Sequence, residues 1–184
     1  MEALVVFESM WGNTEKVAHA VAAGLAESME VTTVDVSRAP SEVGAEFGLI
    51  VAGGPTHAFS MSRARTRADA YSRGAAHGDA GVGLRDWLDR LPSQPHAQPV
   101  ATFDTRVSTV RHLPGSAAKA AAKTVRRHGY DLVGHPESFY VHDSEGPLLD
   151  GELARATAWG RELAAAVTTT TAPQLSEPPD AADR

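Results

Sequence analysis

The sequence predicts one α/β domain whose sheet is mostly parallel and is covered by helices on both faces. Strand-like and helix-like patterns alternate along most of the 184 residues, and several of the strand-like runs are short and continuously apolar. Such runs are typical of parallel strands that are buried on both faces. A regular alternation of strands and helices favours a doubly wound sheet, and a chain of this length fits a single domain.

Each expected element rests on a local pattern. Runs of apolar or β-branched residues predict five strands, at residues 3–7, 31–36, 47–52, 99–103 and 131–141. Apolar residues at helical spacing, or an Ala- and Lys-rich composition closed by glycine, predict helices at residues 17–25, 84–91, 115–128 and 151–167. Ligands of such sheets bind at the carboxyl ends of the strands, so the loops after the strands are the places to search.

Two segments do not follow the alternation. Residues 60–83 carry several arginines among Ser, Ala and Gly, and we interpret them as a long insert or a loosely specified helix. Residues 168–184 begin with four threonines and continue with prolines and acidic residues, which cannot bury enough apolar surface to fold. The expected organisation is therefore a domain at residues 1–167 and a disordered tail at 168–184.

Composition excludes several classes of function. The chain has no cysteine, so a disulfide framework, a thiolate-bound metal and a cysteine nucleophile are excluded, and redox chemistry requires a bound cofactor. A net charge of −6 argues against a nucleic-acid partner, and the lack of a leader pattern or a long apolar run predicts a cytoplasmic protein without membrane contact. Neither His-Glu-x-x-His nor Gly-x-Ser-x-Gly occurs, so we expect no metal site and assign no catalytic side chain.

The junction between the first strand and the first helix is the candidate phosphate site. It is formed by Ser9, Met10, Trp11, Gly12, Asn13 and Thr14. A helix start presents unpaired backbone N–H groups and a positive dipole end, and the Ser and Thr hydroxyls add donors. The alternative is an ordinary polar turn capped by Asn13. Neither the P-loop pattern nor Gly-x-Gly-x-x-Gly is present, so a monophosphate ligand fits better than a triphosphate or a dinucleotide.

This first turn, together with Gly53-Gly54-Pro55-Thr56 after the third strand, resembles the flavodoxin-like family over residues 2–167. The resemblance implies a five-stranded parallel sheet in the order 2-1-3-4-5 and a non-covalently bound FMN held by three loops. Trp11 stands where that family commonly has a second hydroxyl residue, so one side-chain donor is missing. Trp11 either stacks on the flavin or packs against neighbouring loops.

The resemblance also implies that the second and third loops flank the flavin ring. The second supplies Pro55, Thr56, His57, Ala58 and Phe59, and the third supplies Phe103, Asp104, Thr105 and Arg106. The third loop has no Tyr or Trp to stack on the ring. The ring is then stacked on one side only, or left open to a substrate or partner, or the protein has lost tight FMN binding.

Two functional hypotheses follow. The first is an FMN-binding protein that carries electrons to a redox partner protein or reduces a small-molecule acceptor. Whether it is an enzyme stays open; a quinone or NAD(P)H oxidoreductase needs a pocket, whose wall we would expect in residues 60–83. The arginines of that segment either dock an acidic partner or form a solvated face. The second hypothesis is a flavodoxin-like interaction module that no longer binds flavin tightly. The sequence does not predict an oligomeric state.

Overall fold

The central sheet is built from the runs that the sequence predicts as strands. The computed structural model describes residues 1–93 and 98–171, of which 170 and 171 are described by their backbone only. Its strands are β1 (Glu2–Phe7), β2 (Glu30–Asp35), β3 (Phe47–His57), β4 (Ser60–Met61), β5 (Pro99–Val107), β6 (Asp131–Leu132) and β7 (Glu137–Val141). Its helices are α1 (Asn13–Leu25), α2 (Ala64–Ser72), α3 (Leu84–Leu88), α4 (Ala117–Arg127) and α5 (Glu152–Thr171).

The strand order confirms the predicted doubly wound sheet. The parallel strands run β2-β1-β3-β5, and both β6 and β7 pair with the far edge of β5. The fifth position of the expected 2-1-3-4-5 order is thus filled by two short strands instead of one strand over residues 131–141. Pro136 lies between them, and a proline cannot donate a backbone hydrogen bond to the ladder.

Helices cover both faces of the sheet, as predicted. One buried cluster joins β1, β3 and β5 to α1 and α5, and a second joins the other face to α3 and α4. Helices α1 and α5 approach so closely that a Cβ on Gly24 would lie 2.0 Å from the Thr157 carbonyl oxygen. Within the first cluster the ring of Trp159 packs edge-on against Phe103 and Phe139, with centroids 6.1 and 6.0 Å away.

Several boundaries differ from the prediction. Strand β3 continues through His57 and β5 through Val107, so the expected second and third loops are largely strand. The 60–83 segment, expected to be a long insert or a loosely specified helix, holds the short strand β4 and the helix α2. Helix α5 continues to Thr171, four residues into the expected tail, and the rest of that tail lies outside the described residues.

None of the helices in residues 1–93 and 98–171 combines the length and the apolar character that crossing a lipid bilayer requires.

Candidate functional site

The carboxyl ends of β1, β3 and β5 meet at one cleft of about 260 Å³. This is the edge at which parallel α/β sheets bind ligands. Residues from all three predicted loops line it: Ser9, Met10, Trp11, Asn13, Thr14, Pro55, Thr56, His57, Ala58, Thr105 and Arg106. The remaining lining residues are Thr66, Asp69, Arg73, Val107, Val141 and Ser144.

At the floor of the cleft, the first turn leaves donors without partners. Gly12, the N-cap residue before α1, has φ +80° and no side chain to cap the first turn, whose amides lack intrahelical acceptors. Ser9 is 2% exposed, and its buried hydroxyl finds no partner among the described residues. A buried, unpaired hydroxyl beside an uncapped helix start is what an anion-binding cradle requires.

Two side chains of the same turn bind other loops. The Asn13 amide donates to the Glu145 carbonyl at 2.8 Å, which ties the turn to the loop after β7. The Thr14 and Thr105 hydroxyls lie 2.7 Å apart, so the first and third segments are joined directly. Two hydroxyls that share one hydrogen bond keep one O–H between them, and that hydrogen is available to a ligand oxygen.

Helix α4 begins at the same edge but has its donors satisfied. The Ala117 amide donates to the Thr56 hydroxyl at 2.8 Å, and the Ala118 amide donates to the Asp104 carboxylate at 2.8 Å. Ser116 caps the helix by accepting from the Lys119 amide at 3.3 Å. Of these two helix starts, only that of α1 has donors that remain available to an external anion.

The inserted segment forms one wall of the cleft. The two-residue turn between β3 and β4 consists of Ala58 and Phe59, both at positive φ (47° and 63°), as a tight hairpin requires. Helix α2 then brings Thr66, Asp69 and Arg73 to the cleft. We expected the wall of a pocket in residues 60–83, but no pattern in the sequence groups these three side chains.

Trp11 both lines the cleft and packs against the insert. Its neighbours in a small apolar cluster are Met10, Ala70, Ala75 and Tyr71. Of the two alternatives for Trp11, packing against a neighbouring segment is therefore observed. Part of its side chain stays accessible from the cleft, and contact with a ligand stays a prediction.

Charges in the cleft are mostly cationic. The Arg106 side chain is 4% exposed; its guanidinium donates to the Val110 and Leu113 carbonyls, and its Nε has no partner among the described residues. Arg73 lies 3.4 Å from the Asp69 carboxylate. Burial, and then the nearby Arg73, lower the pKa of His57, so its imidazole is neutral at pH 7.

A buried polar network surrounds Glu8, the residue that precedes the first turn. Glu8 accepts hydrogen bonds from the Ser62 hydroxyl at 2.5 Å and the Leu84 amide at 2.8 Å. Arg67 donates to Ser62 at 3.1 Å and pairs with Asp86 at 2.8 Å. Burial raises the pKa of Glu8, against the lowering effect of these hydrogen bonds and of Arg67. Of the arginines in the insert, Arg67 is therefore structural, whereas Arg63, Arg65 and Arg73 are exposed.

Four of the predicted site residues do not line the cleft. Phe103 is fully buried against Phe139, and Asp104 caps α4 as described above. Because side chains alternate along a strand, the extension of β5 turns Phe103 and Asp104 to opposite buried faces. Gly12 faces the His77 ring, which a Cβ at this position would meet at 3.0 Å. Phe59 is exposed at the tip of the β3–β4 hairpin.

No group of three or more His, Asp or Glu side chains that could hold a metal ion occurs within the described part of the chain.

Comparisons with known proteins relate the chain to flavodoxins through part of its sequence and through its fold. The sequence profile of the flavodoxin family matches residues 5–65, which include the first turn and β3. No curated protein matches the chain significantly.

Solved structures show the same fold. A flavodoxin from the domain Archaea has a TM-score of 0.62 at 18% identity, over 91% of this chain and 99% of that chain. Oxidised flavodoxin 2 from Bacillus cereus has a TM-score of 0.62 at 17% identity, over 90% of this chain and 99% of that chain.

A longer protein contains a similar domain. Rubredoxin oxygen:oxidoreductase from Desulfovibrio gigas has a TM-score of 0.65 at 14% identity, over 94% of this chain but only 37% of that chain. The chain therefore has the flavodoxin fold, and its residues 5–65 match the flavodoxin family profile.

Proposed function

We propose that this protein binds FMN in the cleft and passes electrons through it to a partner protein or a small acceptor. The observation that carries the proposal is the buried, unpartnered Ser9 hydroxyl beside the uncapped start of α1. A phosphate bound there accepts hydrogen bonds from Ser9 and from the first-turn amides, and the dipole of α1 stabilises its negative charge. The remaining hydroxyl hydrogen of the Thr14–Thr105 pair is a further donor.

The ring of the flavin would lie between the β3–β4 hairpin and the end of β5. Pro55, Thr56 and Ala58 give it backbone and aliphatic contacts, and Trp11 offers an aromatic face. When bound, FMN supplies the electron-transfer chemistry, and the chain contributes binding and tuning. The unpaired Nε–H of Arg106 is a donor for a ring or ribityl oxygen. His57 contributes no charge, since its pKa is lowered.

The cationic lining also predicts how the flavin is tuned. Arg73 is offset by Asp69, whereas the guanidinium of Arg106 donates only to carbonyl groups and interacts electrostatically with the buried Asp104 carboxyl group. A buried cation beside the ring stabilises the negative charge that a flavin gains on reduction. Arg106 therefore raises the reduction potential of the bound flavin relative to the same cleft without it.

The proposal is tested by titrating the purified protein with FMN while recording the visible flavin spectrum and tryptophan fluorescence. Binding perturbs the flavin absorption and quenches tryptophan emission, because Trp11 lines the cleft. A Trp11→Phe variant serves as the matched control, since it keeps an aromatic ring and loses that part of the emission change. A protein whose spectrum and emission both ignore micromolar FMN would contradict the proposal and favour the interaction module.

A second measurement separates an enzyme from a carrier. NADH or NADPH is added to the flavin-loaded protein without oxygen, and bleaching of the flavin is followed. Direct bleaching identifies an NAD(P)H oxidoreductase, whereas a carrier bleaches only when a separate reductase is supplied.

A further inference from the structure

Helix α4 presents a cationic face to solvent. Lys119, Lys123, Arg126 and Arg127 are all exposed, while the opposite side of the helix is buried against the sheet. With Ala122 and Pro136, these four side chains line a surface groove that contains no carboxylate. We call these four residues the α4 cationic face.

The charge of this face is not neutralised within the described part of the chain. None of the six ion pairs found there includes a residue of the face. Glu137, which follows Pro136 in the sequence, pairs with Arg155 instead. The helix holds four of the 17 basic residues and none of the 23 acidic ones, so the rest of the chain has ten more acidic than basic residues.

Helix stability explains this arrangement only in part. Arg126 and Arg127 lie in the last turn of α4, where the negative end of the helix dipole favours cations. Lys119 lies in the first turn, where the positive end disfavours a cation, and cations spaced three or four residues apart on one helix repel each other. An anionic partner would remove that repulsion.

The face begins at the rim of the cleft. The Ala117 amide bonds to Thr56, a cleft residue, and Lys119 follows two positions later. From Lys119 to Arg126 the helix rises about 10 Å, at about 1.5 Å per residue. A protein bound along α4 is therefore held beside the ligand cleft.

We propose that the α4 cationic face is a docking surface for an acidic redox protein that exchanges electrons with the cleft; this inference rests on the proposed function. A compact acidic protein matches a short positive patch on an otherwise acidic surface. A long polyanion such as duplex DNA would extend from the patch onto that acidic surface and be repelled.

The test uses an acidic plant-type [2Fe–2S] ferredoxin as the probe and calorimetry as the binding measurement. The test variant is Lys119→Glu/Lys123→Glu/Arg126→Glu. The matched control, Arg38→Glu/Arg65→Glu/Arg90→Glu, changes the net charge equally at exposed positions elsewhere. The wild type and the control bind at low ionic strength and more weakly at about 0.15 M salt. The test variant loses on the order of tenfold in affinity, as several exposed charge pairs are removed.

Parallel measurements keep this inference separate from the FMN proposal. Ferredoxin binding is measured with flavin-free and with FMN-loaded protein, and FMN affinity is measured for every variant. The expected result is docking by both forms and equal FMN affinity in all variants. With FMN bound, electron transfer from reduced ferredoxin to the flavin slows in the test variant only.

Three outcomes would overturn the inference. The first is a wild type that does not bind the ferredoxin at low ionic strength. The second is an equal loss of affinity in the test and control variants. The third is binding to duplex DNA or anionic vesicles that is as tight as binding to ferredoxin and equally sensitive to the test substitutions. If the protein does not bind FMN, ferredoxin docking is still measured with the flavin-free protein.

Discussion

Replacing Ser9 by alanine should change stability and FMN binding in opposite directions. In the flavin-free protein the Ser9 hydroxyl is buried without a partner, which costs about 1–3 kcal/mol relative to a satisfied group. Alanine removes that unpaired hydroxyl and leaves the apolar part of the side chain. The free energy of unfolding of the flavin-free protein should therefore stay the same or rise.

The expected loss of FMN affinity follows from the charge of the phosphate. A hydrogen bond to a charged group contributes about 1.5–3 kcal/mol. Losing it weakens FMN binding by about 10- to 150-fold in Kd. Urea denaturation of the flavin-free protein and an FMN titration measure the two effects separately.

Ser116→Ala is the matched control, because Ser116 is equally buried but caps α4 with its hydroxyl. Loss of the cap should cost about 1 kcal/mol of stability. It should leave FMN affinity unchanged, since Ser116 does not line the cleft. The reasoning is refuted if Ser9→Ala destabilises the protein as Ser116→Ala does and leaves the Kd for FMN unaltered.

Four further predictions test other parts of the account. The pKa of Glu8 is raised in the folded state, so its contribution to stability is present below its unfolded-state pKa and is lost as pH rises through the folded-state value. As pH rises through that range, the urea midpoint of the wild type should fall relative to that of Glu8→Gln. Urea midpoints that follow the same pH dependence in both proteins would contradict this. Phe103→Leu should cost about 1–2 kcal/mol of stability and leave the FMN difference spectrum unchanged, because Phe103 belongs to the core. An altered spectrum would show that Phe103 contacts the flavin. Gly12→Ala and Gly151→Ala both place alanine at positive φ (80° and 85°), so each should lower the free energy of unfolding, measured by calorimetry, by about 1–2 kcal/mol. Only Gly12→Ala should weaken FMN binding, because Gly12 belongs to the turn proposed to bind the phosphate. Lys119→Glu should raise the Tm, because a carboxylate in the first turn of α4 gains about 0.3–1 kcal/mol from the helix dipole; a lower Tm would contradict the charge argument.

The fold was largely predictable because its signals are local. Apolar runs such as residues 47–52 mark buried parallel strands, and the spacing of apolar residues marks α1. The strand order required the family resemblance, since local patterns do not specify which strands pair. The break between β6 and β7 was missed, because residues 131–141 contain enough β-branched and aromatic residues to suggest one strand.

The site was predicted in part, for a physical reason. The first turn is continuous in sequence, so its position and its glycine are visible there. The end of β5 is polar and was taken for a loop, whereas Asp104 is buried because it binds the α4 start. Arg67 and Asp86 lie 19 positions apart, and their pairing exists only after the insert folds over the sheet. Only the folded chain brings Thr66, Asp69 and Arg73 to the cleft.

A paired titration of the flavin-free protein with FMN and riboflavin tests the central claim most directly. The two ligands share the ring and the ribityl chain and differ only in the phosphate. The account predicts that FMN binds and that riboflavin binds far more weakly, because the Ser9 hydroxyl and the α1 amides recognise the phosphate. Equal affinities for the two ligands, or no binding of FMN, would contradict it.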